Sequence, residues 1–519
     1  MSAQYVIGID GGTESIRVGV FDLQGRVVGM AAREYPLSHP RPGWAEQQPA
    51  DWWNSLAAAT QEAVAAAGVA PSAIAGLSLD TTSCTVVLAD RQGTPLRPSI
   101  IWMDVRAADQ AARLTRPGLP ALAYTGFGPV SAEWMPSKAL WVKENEPEVW
   151  ARTEVLCEYT DWLNFRLTGR WAMGLMHATS RAFYNVHKGG WPMDLYEAAG
   201  LADAVEKFPQ DVLPLSTPVG SLTPAAAADL GLLPGTPVLQ GGVDAYMAIL
   251  GLQVTAPGRL ALIMGSSHCM YALSAEPIHG HGMFGGFPDA VIPGYWVVEG
   301  GQASTGSVVK WFREQFCLEE KLTARDRGLE AYDVLSEAAS ALPPGSDGLL
   351  VLEHWQGSRT PNTDSLARGA IMGLSLRHTR AHLYRAIIEA TAYGTASILK
   401  TFADNNVQVD EIVACGGPVK SDFWMQIQAD VCGRPIMIPE VLQAPALGSA
   451  IAAAVGAGIY SDFKSAAAAM VRIALCVQPD MARHRQYQPY VQAYMEAFGR
   501  VRDVHHGLAA LQSADARRS

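Results

Sequence analysis

The stretch VIGIDGGTESIRVGVFD, residues 6–22, decides how this chain is read. An apolar run, Tyr5-Val6-Ile7-Gly8-Ile9, meets an acid, Asp10, and then a Gly11-Gly12-Thr13 turn. A second strand follows through Arg17-Val18-Gly19-Val20-Phe21. This alternation predicts a β-hairpin with a glycine-rich tip, to which the first strand delivers a carboxylate. Successive backbone N–H groups in such a turn converge on one spot and can cradle a phosphate. An acid beside them can hold Mg²⁺ directly or through water. An ordinary hairpin with a glycine turn fits the same letters.

Working outward, 519 residues exceed what one hydrophobic core usually holds, so at least two domains are expected. Apolar residues make up 49% of the chain and charged residues 17%, a globular balance. The net charge is −11 and basic residues do not cluster, which argues against nucleic acid or an anionic membrane surface as partner. The N-terminus leads straight into the first strand without a signal-like segment. No apolar run reaches the ~18 residues of a membrane span. The seven cysteines are scattered and form no CxxC pair, which suggests reduced thiols and a cytoplasmic location.

Strand-like and helical stretches alternate along the chain, favouring an α/β fold. Residues 51–67 read as a helix with Asp51 as N-cap and Gly68 as stop. Residues 75–90 repeat the opening strand–turn–strand pattern around Thr81-Thr82-Ser83, and residues 259–274 do so again around Gly265-Ser266-Ser267. Residues 236–244 bring a buried strand into a Gly241-Gly242 turn, with Asp244 just beyond. Residues 412–421 are a strand emptying into Gly416-Gly417, and residues 295–299 a strand ending in the acid Glu299. A long helix is expected over 379–402, and a small-residue helix suited to close packing on a sheet over 447–455. The Pro257-Gly258 turn suggests a boundary, giving domains 1–255 and 256–500 and a polar tail 501–519. Neither a Walker A sequence nor a GxGxxG after a strand is present, so P-loop and Rossmann readings lose ground. From the residues alone the fold is two α/β domains offering polar turns to a shared, phosphate-sized cleft.

The order GIDGGT (8–13), GGVDA (241–245), MGSS (264–267) and CGGPVKS (415–421) resembles the FGGY carbohydrate kinases, within the actin-like ATPase superfamily. GAIMGLSLRHTRAHLYRAIIE (369–389) fits that family's C-terminal signature. The N-terminal signature fits at Lys138, Trp141, Val142, Glu144 and Asn145 but departs at Glu133, Met135 and Ala139. The resemblance runs from residue 5 to about residue 498. It implies two ribonuclease-H-like domains around a deep interdomain cleft, with a sugar or polyol deep inside and ATP mainly on the second domain. A homodimer is also compatible, since relatives are often dimers. DTTSCTVVLADRQGTPLRPSIIWMDVRA (80–107), WQGSRTP (355–361) and VVEGGQASTGSVVKWF (297–312) are most similar to the ribulokinase branch. Where bacterial ribulokinases hold the sugar with a lysine in a Lys-Ala pair, the match here is Arg181-Ala182, whose planar guanidinium presents a different fork of donors.

The resemblance assigns Asp244 as base for the acceptor hydroxyl, a role a strand-end carboxylate can fill; capping of the following helix is compatible with it. Asp10 would organise Mg²⁺ and the transferring phosphate, with the amides of Gly11, Gly12 and Thr13 as donors. Gly265, Ser266 and Ser267 would face the β- and γ-phosphates, and Gly416, Gly417 and Lys420 the nucleotide. Thr82, Ser83, Trp102, Asp104, Arg181 and Glu299 would line the sugar site with Asp244; a structural tryptophan and a surface Asp104–Arg106 pair are the plain alternatives. His268 and His281 are set aside, because phosphoryl transfer needs no imidazole. The activity implied is ATP-dependent phosphorylation of a terminal hydroxyl of a ketopentose, D- or L-ribulose, to the 5-phosphate. Xylitol, erythritol or xylulose, or a non-catalytic sugar-binding role for the same fold, remain alternatives.

Overall fold

The computed structural model describes residues 4–116 and 118–516. The opening hairpin forms as its alternation predicts: β1, Tyr5–Gly11, runs antiparallel to β2, Ser15–Asp22, which pairs with β3, Val27–Glu34. The chain then crosses by helix α1, Pro49–Ala67, to β4, Ile74–Thr81, parallel to β1. Much later β5, Pro237–Val243, joins parallel to β4. The six-stranded sheet therefore runs β3-β2-β1-β4-β5, with Pro218–Ser221 at the far edge. Two helices carry the first half's functional side chains: α2, Leu175–Ala182, and α3, Asp244–Gly251.

The second half repeats this topology. A meander of β6, Gly258–Met264, β7, His268–Ser274, and β8, Trp296–Gln302, is antiparallel throughout. Helix α4, Gly306–Phe316, follows it. Two parallel strands then continue from β6, namely β9, Val409–Gly416, and β10, Ile436–Pro439. The order β8-β7-β6-β9-β10 matches β3-β2-β1-β4-β5, the pattern of two ribonuclease-H-like, actin-type domains. Helices α5, Ala444–Gly456, and α6, Met481–Ala516, close the chain.

The small-residue helix α5 packs on the first sheet although it belongs to the second half of the sequence. A Cβ on Gly8 of β1 would stand 1.9 Å from the Ala446 carbonyl oxygen, and one on Gly448 would stand 1.9 Å from that of Met247 in α3. Backbone therefore meets backbone, and only glycine allows that approach. Gly8→Ala is expected to cost about 3 kcal/mol, because neither strand nor helix can retreat without opening the core. A urea midpoint unchanged from the parent would refute this.

Several local expectations are corrected. Asp51 does not cap α1: Pro49 is the first helical residue with Gln48 before it, and Asp51 lies within the first turn, where a carboxylate still suits the helix dipole. Gly68 does stop that helix, at φ 64°. Residues 75–90 are not a second hairpin, because after β4 the strand Val86–Ala89 leaves for a separate four-stranded sheet. The connecting turn holds Cys84 at φ 59°. Buried Lys138 fixes it by donating Nζ to the carbonyls of Cys84 (2.6 Å) and Ile101 (2.7 Å), while Glu158 accepts from Thr85 N at 2.9 Å. Strand β8 does not end at Glu299 but runs through it to Gln302. The expected tail from 501 is continuous with α6 to Ala516, and His505 is buried; residues 517–519 lie outside the described residues. Among the described residues no helix is long and apolar enough to cross a membrane.

Candidate active site

Three adjacent parallel strands of the first sheet end in carboxylates. Asp10 closes β1, Asp80 sits beside it in register on β4, and Asp244 begins α3 directly after β5. C-terminal strand ends of an α/β sheet are where such folds place ligands. Arg17 on β2 donates Nη1 to Asp10 Oδ2 at 2.8 Å. Burial raises the Asp10 carboxyl above its usual range, and Arg17 pulls it partly back. Asp80 is fully buried and is raised well above its usual value by burial and by the Asp10 charge. Ser449 of α5 donates to Asp80 Oδ2 at 2.6 Å. Asp244 is half-buried at the cleft, and burial together with the Asp10 charge raises it to about 7. Its Oδ1 also accepts from Ala245 N at 2.7 Å, but Asp244 is the first residue of α3 and Val243, not Asp244, is its N-cap.

A second cluster meets Asp244 from the opposite wall. Arg181, the penultimate residue of α2, sends Nη2 to Glu299 Oε2 of β8 at 3.1 Å and Nε toward Ser83 Oγ at 3.4 Å. Tyr246, on the first turn of α3, donates to the same Glu299 oxygen at 3.0 Å. Arg181 also lies over the rings of Tyr246 and Trp134. Ser83, Arg181, Glu299 and Asp244 are thus brought together as the sequence predicts, with residues from both halves of the chain.

Other predicted sugar residues lie elsewhere. Asp104 is fully buried away from this cluster, accepting from Ala45 N at 2.6 Å and from Arg106, whose guanidinium stacks 3.7 Å over Trp44. It is the structural pair, and buried rather than exposed. Trp102 donates its indole N–H to Thr13 Oγ1 at 2.9 Å, tying it to the hairpin tip. Thr82 exchanges a hydroxyl bond with Thr85 at 2.9 Å and donates its N–H to Gly11 O.

On the nucleotide side, two of the three hairpin amides are committed. Gly12 N donates to Ser15 O at 3.0 Å, and Gly11 is fixed in the ladder between Ile16 and Thr81. Thr13 N is left without a backbone partner among the described residues. Across the cleft, the Gly265-Ser266-Ser267 turn is exposed. It is clamped to the start of α4, where Ser266 O accepts from the amides of Thr305 and Ser307. Gly306 permits this contact, since its Cβ would lie 2.4 Å from Gly265 O. Gly416 adopts φ 103° against β6, and a Cβ on exposed Gly417 would meet nothing within 4 Å, leaving room for a ligand. Lys420 is exposed. His268 is buried, burial lowers it to about 3, and it stays outside the cluster.

The N-terminal-domain profile of the FGGY family of carbohydrate kinases matches residues 5–251, and its C-terminal-domain profile matches residues 260–457. The chain belongs to the FGGY family of carbohydrate kinases. Among curated relatives of this FGGY kinase, a ribulokinase from Geobacillus thermodenitrificans is 36% identical over 88% of this chain and 86% of its own. One from Halalkalibacterium halodurans is 32% identical over 100% and 99%. Among solved structures, a xylulose kinase from Rhodospirillum rubrum superposes with a TM-score of 0.86 at 30% identity, covering 97% of this chain and all of that one.

Sequence reading of this FGGY kinase missed Arg17, Asp80 and Tyr246. Asp80 carried a signal, because LSLD repeats the strand-then-acid pattern of IGID. Tyr246 carried none: two residues after Asp244, it reads as an ordinary core aromatic until α3 turns it toward Glu299.

Proposed function

We propose that the enzyme transfers the γ-phosphoryl group of ATP to the terminal hydroxyl of a ketopentose, ribulose, giving the 5-phosphate. The observation that carries this is the convergence of Asp244 with the Ser83–Arg181–Glu299–Tyr246 cluster on one side and Asp10 on the other. Asp244 accepts the proton of the attacking hydroxyl, and the cluster orients the sugar so that this hydroxyl faces the base. Asp10 and Thr13 N face the phosphates from the first domain, and Ser266 and Ser267 from the second. The residues fit Mg²⁺, which is usually carried by one or two carboxylates with the remaining positions filled by water and substrate phosphates. Asp10 would hold it, and its chemistry is to neutralise charge on the phosphates. Among the described residues no group of three or more metal-ligating side chains exists.

The choice of ribulose is supported by the ribulokinase relatives. Arg181 supplies a guanidinium fork suited to two neighbouring hydroxyl oxygens. We place the domain boundary at 255–256, with α5 returning to the first sheet. An ADP-release screen across D- and L-ribulose, D- and L-xylulose, xylitol, erythritol and glycerol tests the substrate. A ribulose is expected to give the highest kcat/KM; turnover of ribuloses no better than glycerol refutes it.

A further inference from the structure

Glu299 has one oxygen to spare. Both protein donors, Arg181 and Tyr246, use Oε2, and Oε1 has no partner among the described residues. Two positions further along β8, on the same face, Gly301 lies beside the Arg359 stem; a Cβ there would be 3.8 Å from Arg359 Cδ. Arg359 comes from the 355–361 segment of the second domain. Its guanidinium interacts electrostatically with Glu133 and Glu299. Yet it forms no side-chain hydrogen bond and no ion pair within 4.0 Å among the described residues. The carboxylate of Glu133, on the first domain, is likewise unengaged. A free guanidinium and a free carboxylate oxygen thus share one face of β8 at the edge of the acceptor cluster, with the Glu133 carboxylate within electrostatic reach.

That donor and acceptor set matches a hydroxyl, which donates one hydrogen bond and accepts others. An apolar ligand would leave these groups unpaired, at considerable cost. An anionic one would meet two carboxylates. We propose that Arg359 is a specificity residue for the acceptor, donating to a sugar hydroxyl other than the one phosphorylated while that hydroxyl donates to Glu299 Oε1. The proposal rests on the sugar-kinase reading of the site but not on the choice of ribulose.

The test uses the full-length enzyme with whichever acceptor of the panel above has the highest kcat/KM, so an error about ribulose shows in the screen and not here. Arg359→Gln is expected to raise the acceptor KM roughly 10–100-fold, the range for hydrogen bonds from a charged group. The dissociation constant for ATP, measured by calorimetry without acceptor, and the thermal midpoint should stay as in the parent. Arg359→Lys keeps the stem and the charge, and should recover part of the loss. Removing single hydroxyls from the acceptor adds a second reading. One deoxy analogue should lose affinity in the parent and lose nothing further in Arg359→Gln, the signature of coupled partners. An acceptor KM within twofold of the parent in Arg359→Gln overturns the proposal. So does a parallel rise in the KM of ATP and acceptor, or equal penalties for every deoxy analogue in parent and variant.

Discussion

Asp244→Asn loses sugar phosphorylation by roughly 10³-fold, the scale of a positioned general base, while ATP binding stays near the parental value. The substitution is nearly isosteric. An asparagine at 244 still offers Oδ1 to Ala245 N, the bond that Asp244 makes at 2.7 Å, so the start of α3 is preserved. It removes only a charge that is poorly solvated and repelled by Asp10, so the thermal midpoint should not fall. What is lost is the proton acceptor facing the sugar hydroxyl, an interaction made as the bond to phosphorus forms and not in the ground state. The acceptor KM should therefore change far less than kcat. Single-turnover mixing with isothermal ATP titration separates these quantities. Unchanged turnover would remove Asp244 from the mechanism, and loss of ATP binding would mean the variant has disturbed the cleft rather than the chemistry.

The fold was legible where the residues carry local rules. Alternation and the glycine turn announced the hairpin at Asp10, and the strand–turn–strand stretch at 258–274 formed as read because its turn is short and its partner adjacent. The same letters misled at 75–90, where the decision is made by distant side chains. Lys138 and Glu158 hold the turn around Cys84 open and send the next strand to another sheet. Asp104 shows the limit for sites. An acid next to a tryptophan and an arginine suits a sugar pocket, but here the arginine buries itself against Trp44 and takes the acid with it. Three of the four polar groups in the acceptor cluster, Ser83, Arg181 and Glu299, were named because they stand in recognisable motifs. Tyr246 acts through geometry that no spacing encodes, and Arg359 stands in the quoted 355–361 motif without being singled out by it.

Helix α5 raises a related point about the two halves. It lies far from β1 in sequence, yet its backbone touches Gly8, and its Ser449 reaches the carboxyl beside Asp10. The first sheet is therefore completed by the second half of the chain, and the strand ends that carry Asp10 and Asp80 are braced from behind by it. Separating the sequence at 255–256 would leave that sheet with an uncovered face of Gly8, Ser78 and their neighbours. The halves are units of topology more than of stability.

Catalysis should depend steeply on pH on the acid side. Burial and the Asp10 charge hold Asp244 at about 7, with the Ala245 amide, Arg181 and Arg17 opposing them. A base works only when ionised, so a raised value means activity present above pH 7 and lost as the pH falls through it. With both substrates well below saturation the rate constant reports the free enzyme, and it should drop about tenfold per unit below pH 7. An aspartate at its ordinary value of 3.8 would leave the rate flat from pH 5 upward. Saturating Mg²⁺-nucleotide should move the limb to lower pH, because a cation beside Asp10 cancels the repulsion that helps to raise Asp244. Replacing Asp10 with Asn should move it in the same direction without nucleotide, a shift measurable by infrared titration of the Asp244 carboxyl even though that variant turns over poorly. A rate that stays level between pH 5 and 7 in the subsaturated enzyme would show that proton removal by Asp244 does not limit the reaction.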